Sequence, residues 1–301
     1  MSLFDIKYQI DSLVKELKQH NYNYYVLAMP SISDYEFDLK LKELEALEKS
    51  YPEYLNPDSP TQKVGGQITK NFKTIVHKWP MLSLGNTYNE QDLLDFDERI
   101  KKAIGNDFEY VCELKFDGLS INLTYEDGKL LRAVTRGDGT KGDEVTANIK
   151  TIRTIPVTLI GDKLPAYFDI RGEVFMHKAA FDKLNQERLE NGEVTYANPR
   201  NFASGTVKMQ DSSEVAKRPL DCFLYFLYSD ENPFKTHWES LQAVKDWGFN
   251  VSKESRLCNN IQDVLSFINE WDQKRFGLSY DIDGIVIKVN SYAQQQELGF
   301  T

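Results

Sequence analysis

The chain has 301 residues, of which 41% are hydrophobic and 12% aromatic, with a net charge of −10 at pH 7. That length and apolar content support one large core plus a smaller module, and they exclude global disorder. The acidic balance, with a pI near 5.1, excludes a grip on nucleic acid built from bulk charge, so any contact with DNA has to be local.

The three cysteines, Cys112, Cys222 and Cys258, lie far apart and form no Cys-x-x-Cys. Neither a disulfide framework nor a zinc site is indicated. The N-terminus lacks a signal-peptide apolar run, and the longest apolar stretch, Cys222 to Tyr228, is too short to span a membrane. The expectation is a soluble, cytoplasmic, monomeric protein with no membrane partner.

Residues 1–70 read as a small all-α domain. Ile6, Ile10, Leu13 and Leu17 recur at helical spacing until Pro30. Ser33 with Glu36 forms a capping box, and Phe37, Leu41, Leu44 and Leu47 mark a second helix face. This segment carries 8 basic and 11 acidic residues, leaving 28 and 35 for the remainder, so no basic domain is hidden in the average. Tyr22, Tyr24 and Tyr25 precede the inter-helix loop, and Asp34 and Asp38 follow it one turn apart. Two readings stand: a tyrosine-rich hairpin core with acids at a helix N-terminus, or a slot where rings stack a cationic heteroaromatic and carboxylates hold its polar groups.

Residues 71–301 change to mixed strands and helices. Pro80 to Gly85 reads as an apolar strand or turn, and Asn89 caps a helix with Leu93, Phe96 and Ile100 that Gly105 stops. Cys112-Glu113-Leu114-Lys115-Phe116-Asp117-Gly118 reads as a strand with Glu113, Lys115 and Asp117 on one face. A cation crowded between two carboxylates suits a reactive lysine, whose amine must be neutral to attack and needs a partner to take its proton. A salt-bridged surface strand entering an Asp-Gly turn is the alternative.

Ser120 to Tyr125 and Leu130 to Thr135 form a hairpin around Asp127-Gly128. The glycines around Arg136 permit close backbone approach to phosphate. Phe168 to Phe175 is a strand with Asp169, Arg171 and Glu173 on one face, lining either a polar cleft or an exposed sheet surface, and a helix runs from about His177 to Glu190. Asn198 to Gly205 reads as a loop leading to Lys208, Lys217 and Arg218, the densest basic patch. Cys222 to Tyr228 is a buried strand. Helices follow around Trp238 to Trp247 and, capped by Asn260, around Val264 to Trp271. Lys288 lies inside the apolar strand Ile282 to Val289, where it either snorkels outward or neutralises an anion.

Taken in order, Cys-Glu-Leu-Lys-Phe-Asp-Gly, Thr-Arg-Gly-Asp-Gly, Arg-Gly-Glu-Val, Asn-Pro-Arg-Asn and Asp-Ile-Asp-Gly-Ile-Val-Ile-Lys-Val-Asn make a specific set. With the Tyr-Tyr and Asp-x-x-Phe-Asp segment ahead of them, the chain resembles the N-terminal part of bacterial NAD+-dependent DNA ligases over nearly all its length. The resemblance implies an α+β fold: a nucleotidyltransferase (ATP-grasp-like) core of antiparallel sheets with flanking helices, preceded by a small domain for the nicotinamide mononucleotide half of NAD+.

By that resemblance Lys115 is the nucleophile that becomes adenylated, Glu113 lies by the adenine and Glu173 by its ribose. Asp117, Arg136, Arg200, Lys208, Arg275 and Lys288 surround the phosphate and the nick, and Asp283 is a candidate for metal-assisted later steps, with Mg2+ or Mn2+ as the metal. Tyr24, Tyr25, Asp34, Phe37 and Asp38 match the nicotinamide pocket, and Ser83 and Leu84 the adenine-side segment. Phe37 stands where the family usually has tyrosine, Tyr25 where it can have histidine, Ala28 where it often has aspartate, and Lys208 where arginine is common. The chain stops before the family's last lysine motif and its DNA-clamping domains, so the expectation is a fragment that binds nicked double-stranded DNA weakly. An ATP-using relative and a non-catalytic NAD+-binding module are the competing readings.

Overall fold

The computed structural model describes residues 3–25, 31–32, 34–56, 59–63 and 72–299. Helices α1 (Leu3–Tyr25) and α2 (Asp34–Ser50) open the chain. Their apolar faces close on a core of their own, Ile6, Ile10, Leu13, Val14, Leu17 and Leu44. Ser33 of the expected capping box lies outside the described residues.

The rest is an α+β body of three antiparallel sheets, as expected. A two-stranded ribbon pairs β1 (Thr74–Val76) with a later strand, and α3 (Glu90–Ile104) follows β1. Asn89 caps α3 by accepting from the Asp92 amide, and Gly105 ends it at φ 84°. Strands β2 (Tyr110–Phe116), β3 (Leu119–Glu126) and β4 (Lys129–Thr135) come next. Asp127 and Gly128 both take positive φ, as a two-residue turn between twisted strands requires. Then come β5 (Lys141–Asp143), which pairs with β1, α4 (Thr146–Ile149), β6 (Tyr167–Met176), α5 (Lys178–Glu190), α6 (Pro199–Val207) and α7 (Ser212–Ala216). Strand β7 (Leu220–Tyr228), α8 (His237–Asp246), β8 (Arg256–Cys258), α9 (Ile261–Lys274), β9 (Ile282–Val289) and α10 (Tyr292–Leu298) complete it.

The larger sheet runs β4-β3-β6-β7 and the smaller β8-β2-β9. One face of the larger sheet, through Ile121, Leu123, Phe168, Ile170, Val174 and Leu224, builds the main core with Trp247 and Phe249. The smaller sheet buries Tyr110, Cys112, Leu114 and Phe116 with Leu93, Ile100, Val264 and Phe267 of α3 and α9. Where the sheets meet, Phe223 packs on Phe116 and Phe175, with ring centroids 4.6 and 4.9 Å apart. The faces left over, bearing Glu113 and Lys115 on β2 and Ser120, Arg171 and Glu173 on β3 and β6, line a cleft.

Asn198 to Gly205, read above as a loop, is α6. Asn198 and Pro199, both turn formers, here act as N-cap and first helical residue, with the Asn198 side chain accepting from the Asn201 amide.

Candidate active site

Strand β2 carries the candidate lysine, and its pairing with β9 is irregular beside it. Leu114 opposes Ile285 and Phe116 opposes Ile282, so Lys115 faces two residues, Asp283 and Gly284. Gly284 takes φ 134°, a backbone conformation that side chains disfavour. The irregularity bends β9 and turns Asp283 toward Lys115, whose amine donates to its carboxylate. Lys115 and Asp283 keep 43% and 58% of their side-chain surface exposed. The bond to Lys115 holds the Asp283 carboxyl below its ordinary range.

The expected clamp of Lys115 between Glu113 and Asp117 is therefore not what forms. Asp117 accepts from Arg200 at 2.9 Å. Gly118 follows it because a Cβ there would sit 2.2 Å from the Val174 carbonyl oxygen. Glu113 is buried, because β2 is central and both its faces are covered. Its Oε2 accepts from Lys288 Nζ at 2.5 Å and from His237 Nε2 at 3.0 Å. Burial alone would raise the Glu113 carboxyl, but Lys288 and His237 overcome that and hold it well below the usual range. Lys288, placed by sequence at the phosphate, thus neutralises this buried anion, and it also donates to the Tyr225 carbonyl at 3.3 Å.

Strand β6 brings three polar side chains to the cleft face, all buried. Glu173 accepts from Ser120 at 2.7 Å, and burial pushes its carboxyl up to about 7 against the lowering pull of Ser120 and Arg200. Arg171 donates to the Trp79 and Pro80 carbonyls at 2.6 and 2.9 Å and to the Tyr228 hydroxyl at 2.9 Å. It thereby fastens the 79–85 segment to the sheet and places Ser83, which accepts from Arg136 at 2.7 Å. Asp169 accepts from Asn122 and Thr124 instead of facing a ligand near Lys115. Leu84 is exposed.

Cations expected around the phosphate are mostly engaged. Lys208 pairs with Asp143 at 3.3 Å, and Arg275 donates to the Ile282 carbonyl at 2.9 Å. In the basic patch, Lys217 pairs with Glu214, while Arg218 bonds Thr206 and lies over the Phe202 ring, so both cations are already engaged. Tyr24 and Tyr25 fall on α1 and Asp34 and Asp38 on α2, but their side chains, and Ala28 altogether, lie outside the described residues. Phe37 is described, and the Arg153 guanidinium lies 5.8 Å from its ring centroid. Tyr225, Ser120 and His237 touch candidate site residues and were not marked by the sequence. Alternation along Cys222 to Tyr228 could have flagged Tyr225, but His237 finds Glu113 across 124 residues with no local signal.

Among the described residues no three His, Cys, Asp or Glu side chains cluster as a metal cage, and no helix is long and apolar enough to cross a membrane.

The fold is built on two main antiparallel sheets, with an accessible lysine on the central strand of the smaller sheet. The sequence matches the NAD-dependent DNA ligase adenylation domain over residues 69–301 and the DNA ligase-like, N-terminal NAD+-binding domain over residues 4–65. The chain belongs to the NAD-dependent DNA ligase adenylation family. It is 56% identical over 294 residues to a DNA ligase of Flavobacterium psychrophilum, covering 97% of this chain and 44% of that protein. A DNA ligase of Bacteroides fragilis is 54% identical over 296 residues, covering 98% and 44%. The chain thus spans less than half the length of these relatives. A Naegleria gruberi RNA ligase solved with AMP and manganese covers 76% of this chain and 58% of its own at 13% identity and a TM-score of 0.36, too loose a likeness to carry an argument.

Proposed function

We propose that this chain performs the first step of NAD+-dependent ligation, transfer of AMP to Lys115. The observation that carries the reading is the Lys115–Asp283 pair. Lys115 stands exposed in the cleft, and its one ion pair among the described residues is to the exposed carboxylate of Asp283, which can take its proton and leave the neutral amine that attacks. The Lys115 nitrogen attacks the adenylyl phosphorus, a P–N bond forms, and the P–O bond to the bridging oxygen breaks. Nicotinamide mononucleotide leaves with that electron pair, and a lysine–AMP phosphoramidate remains.

The cleft divides the work. Glu113 as acceptor and Lys288 as donor, beside the Tyr225 ring, match the amino group and adjacent ring nitrogen of adenine. Glu173, its carboxyl pushed up to about 7 by burial, suits the ribose hydroxyls. Arg136 and Arg200 are held by Ser83 and Asp117, partners they can exchange for phosphate oxygens as charge develops there. Residues 1–70, through Tyr24, Tyr25, Asp34, Phe37 and Asp38, would form a separate domain that orients the leaving group for in-line attack by the domain of residues 71–301. Among the described residues there is no all-protein cage, and in later steps, with Lys115 adenylated and no longer paired to it, Asp283 together with substrate phosphate would hold an Mg2+ or Mn2+ ion, as hard cations commonly are held. When bound it would supply Lewis-acid stabilisation to the phosphate oxygens.

In a longer ligase the AMP would pass to the 5′ phosphate of a DNA nick. Intact mass after incubation with NAD+ or ATP, each with Mg2+, tests the reading. A gain of one AMP from NAD+ alone is expected. A gain from ATP alone would favour an ATP-using relative, and none from either would favour a binding module.

A further inference from the structure

His237 opens α8 and its side chain is wholly buried. Its Nε2 lies 3.0 Å from Glu113 Oε2 and 3.3 Å from Lys288 Nζ, while its Nδ1 is buried with no hydrogen-bond partner. An ionised carboxylate only accepts, so Nε2 carries the proton. Nδ1 is then the bare nitrogen, since an N–H there would be buried without an acceptor. Burial, followed by the Lys288 charge, lowers the ring's pKa, which favours the neutral ring.

The donor is held firmly. The imidazole stacks on Phe226 at 5.1 Å with planes 25° apart, and the His237 amide donates to the Asn290 carbonyl at 2.8 Å. A capping box between Thr236 and Glu239 fixes the start of the helix. The groups facing the ring are Glu113 from β2, Lys288 from β9, Phe226 from β7 and Tyr292 from α10.

We propose that His237 is a positioning residue that sets base specificity: its Nε2–H keeps Glu113 an oriented, ionised acceptor, so that the Glu113–Lys288 pair takes a 6-aminopurine and rejects a 6-oxopurine. This rests on the reading of Glu113 and Lys288 as the adenine contacts. The 6-oxo base exchanges both groups. Its oxygen would face the carboxylate, acceptor against acceptor, and its N1–H would face the ammonium, donor against donor. The first mismatch persists only while Glu113 stays ionised. A protonated Glu113 could donate to the oxygen and remove the first mismatch. A fixed N–H donor on Oε2 opposes that protonation, and its loss would leave a buried carboxylate with Lys288 as its remaining charge-assisted donor.

The test compares adenylation by NAD+ and by nicotinamide hypoxanthine dinucleotide, read as kcat/KM from intact mass. Wild type should prefer NAD+ on the order of a hundredfold or more, as sites built around buried hydrogen bonds do. His237→Ala should shrink the preference at least about tenfold, chiefly by gaining on the 6-oxo substrate relative to NAD+. His237→Gln, which can offer an N–H but does not titrate, should restore most of it. If His237→Ala does not fold, His237→Phe keeps the ring stack without the donor and should show the same shrinkage. A preference unchanged in the donor-free variant would overturn the role of His237 and leave the adenine contacts standing. A wild type that uses both dinucleotides equally would instead overturn the adenine contacts themselves.

Discussion

Glu113 and Lys115 are two residues apart on one strand and live in opposite surroundings. Glu113 is almost completely buried and bonded to a lysine and a histidine, whereas Lys115 and its partner Asp283 are about half exposed. The physical consequence differs at each end. An exposed ion pair contributes about 0–1 kcal/mol and is easily exchanged for substrate. A buried pair that loses one member leaves a desolvated charge and costs about 3–5 kcal/mol. The buried end of the strand is therefore preset, and the exposed end is free to trade partners.

Substitutions at the two ends should separate chemistry from stability. Lys115→Ala should bring AMP uptake below detection while urea unfolding stays within about 1 kcal/mol of wild type, because only an exposed pair is lost. Glu113→Ala should instead lower the unfolding free energy by about 3–5 kcal/mol by stranding Lys288. Similar stability losses in these two variants would erase the contrast between the two ends.

Asp283→Asn sharpens the reactive end. It should slow AMP transfer by about 10²-fold through loss of the proton acceptor, with stability changed by less than about 1 kcal/mol. A normal rate would remove Asp283 from the chemistry.

Glu173 extends the comparison to pH. Its carboxyl titrates near 7 when folded against an ordinary 4.5. Between those values the folded state holds a proton that the unfolded chain has released. Stability from this group is thus full below about 4.5 and lost as pH rises through 7. Wild type should lose about 2–3 kcal/mol more than Glu173→Gln between pH 5 and pH 8, measured by denaturant unfolding. Parallel pH profiles would contradict the burial of an uncompensated acid at this position.

The smallest expected effect lies in the helical segment. Asp38→Ala should slow adenylation by NAD+ roughly tenfold. In a complete ligase it should leave sealing of a pre-adenylated nick nearly unchanged, because that step holds no nicotinamide. Equal losses in both assays would refute a role confined to the leaving group.

Much of this architecture was legible in the sequence because its signals are local. Asn89 and Asn260 cap their helices, and Asp127-Gly128 turns its hairpin within a few residues of the pattern that announces it. Where one local signal had two meanings, as with Asn198-Pro199, the helix was read as a loop. The motifs marked Lys115, Glu113 and Asp283, but not how they pair. Lys115 finds Asp283 across 168 residues and Glu113 finds Lys288 across 175, and those distances are closed only by the β2–β9 register and its irregularity at Gly284. Strand alternation put Glu113 beside Lys115, and sheet packing separated them.

The central claim is that Lys115, at the open end of β2, carries the AMP. Tandem mass spectrometry of peptides from the chain, after incubation with NAD+ and Mg2+, tests it most directly. The account predicts a single AMP-bearing peptide with the modification on Lys115, absent from Lys115→Ala. AMP on another residue, or an undiminished adduct in that variant, would contradict it.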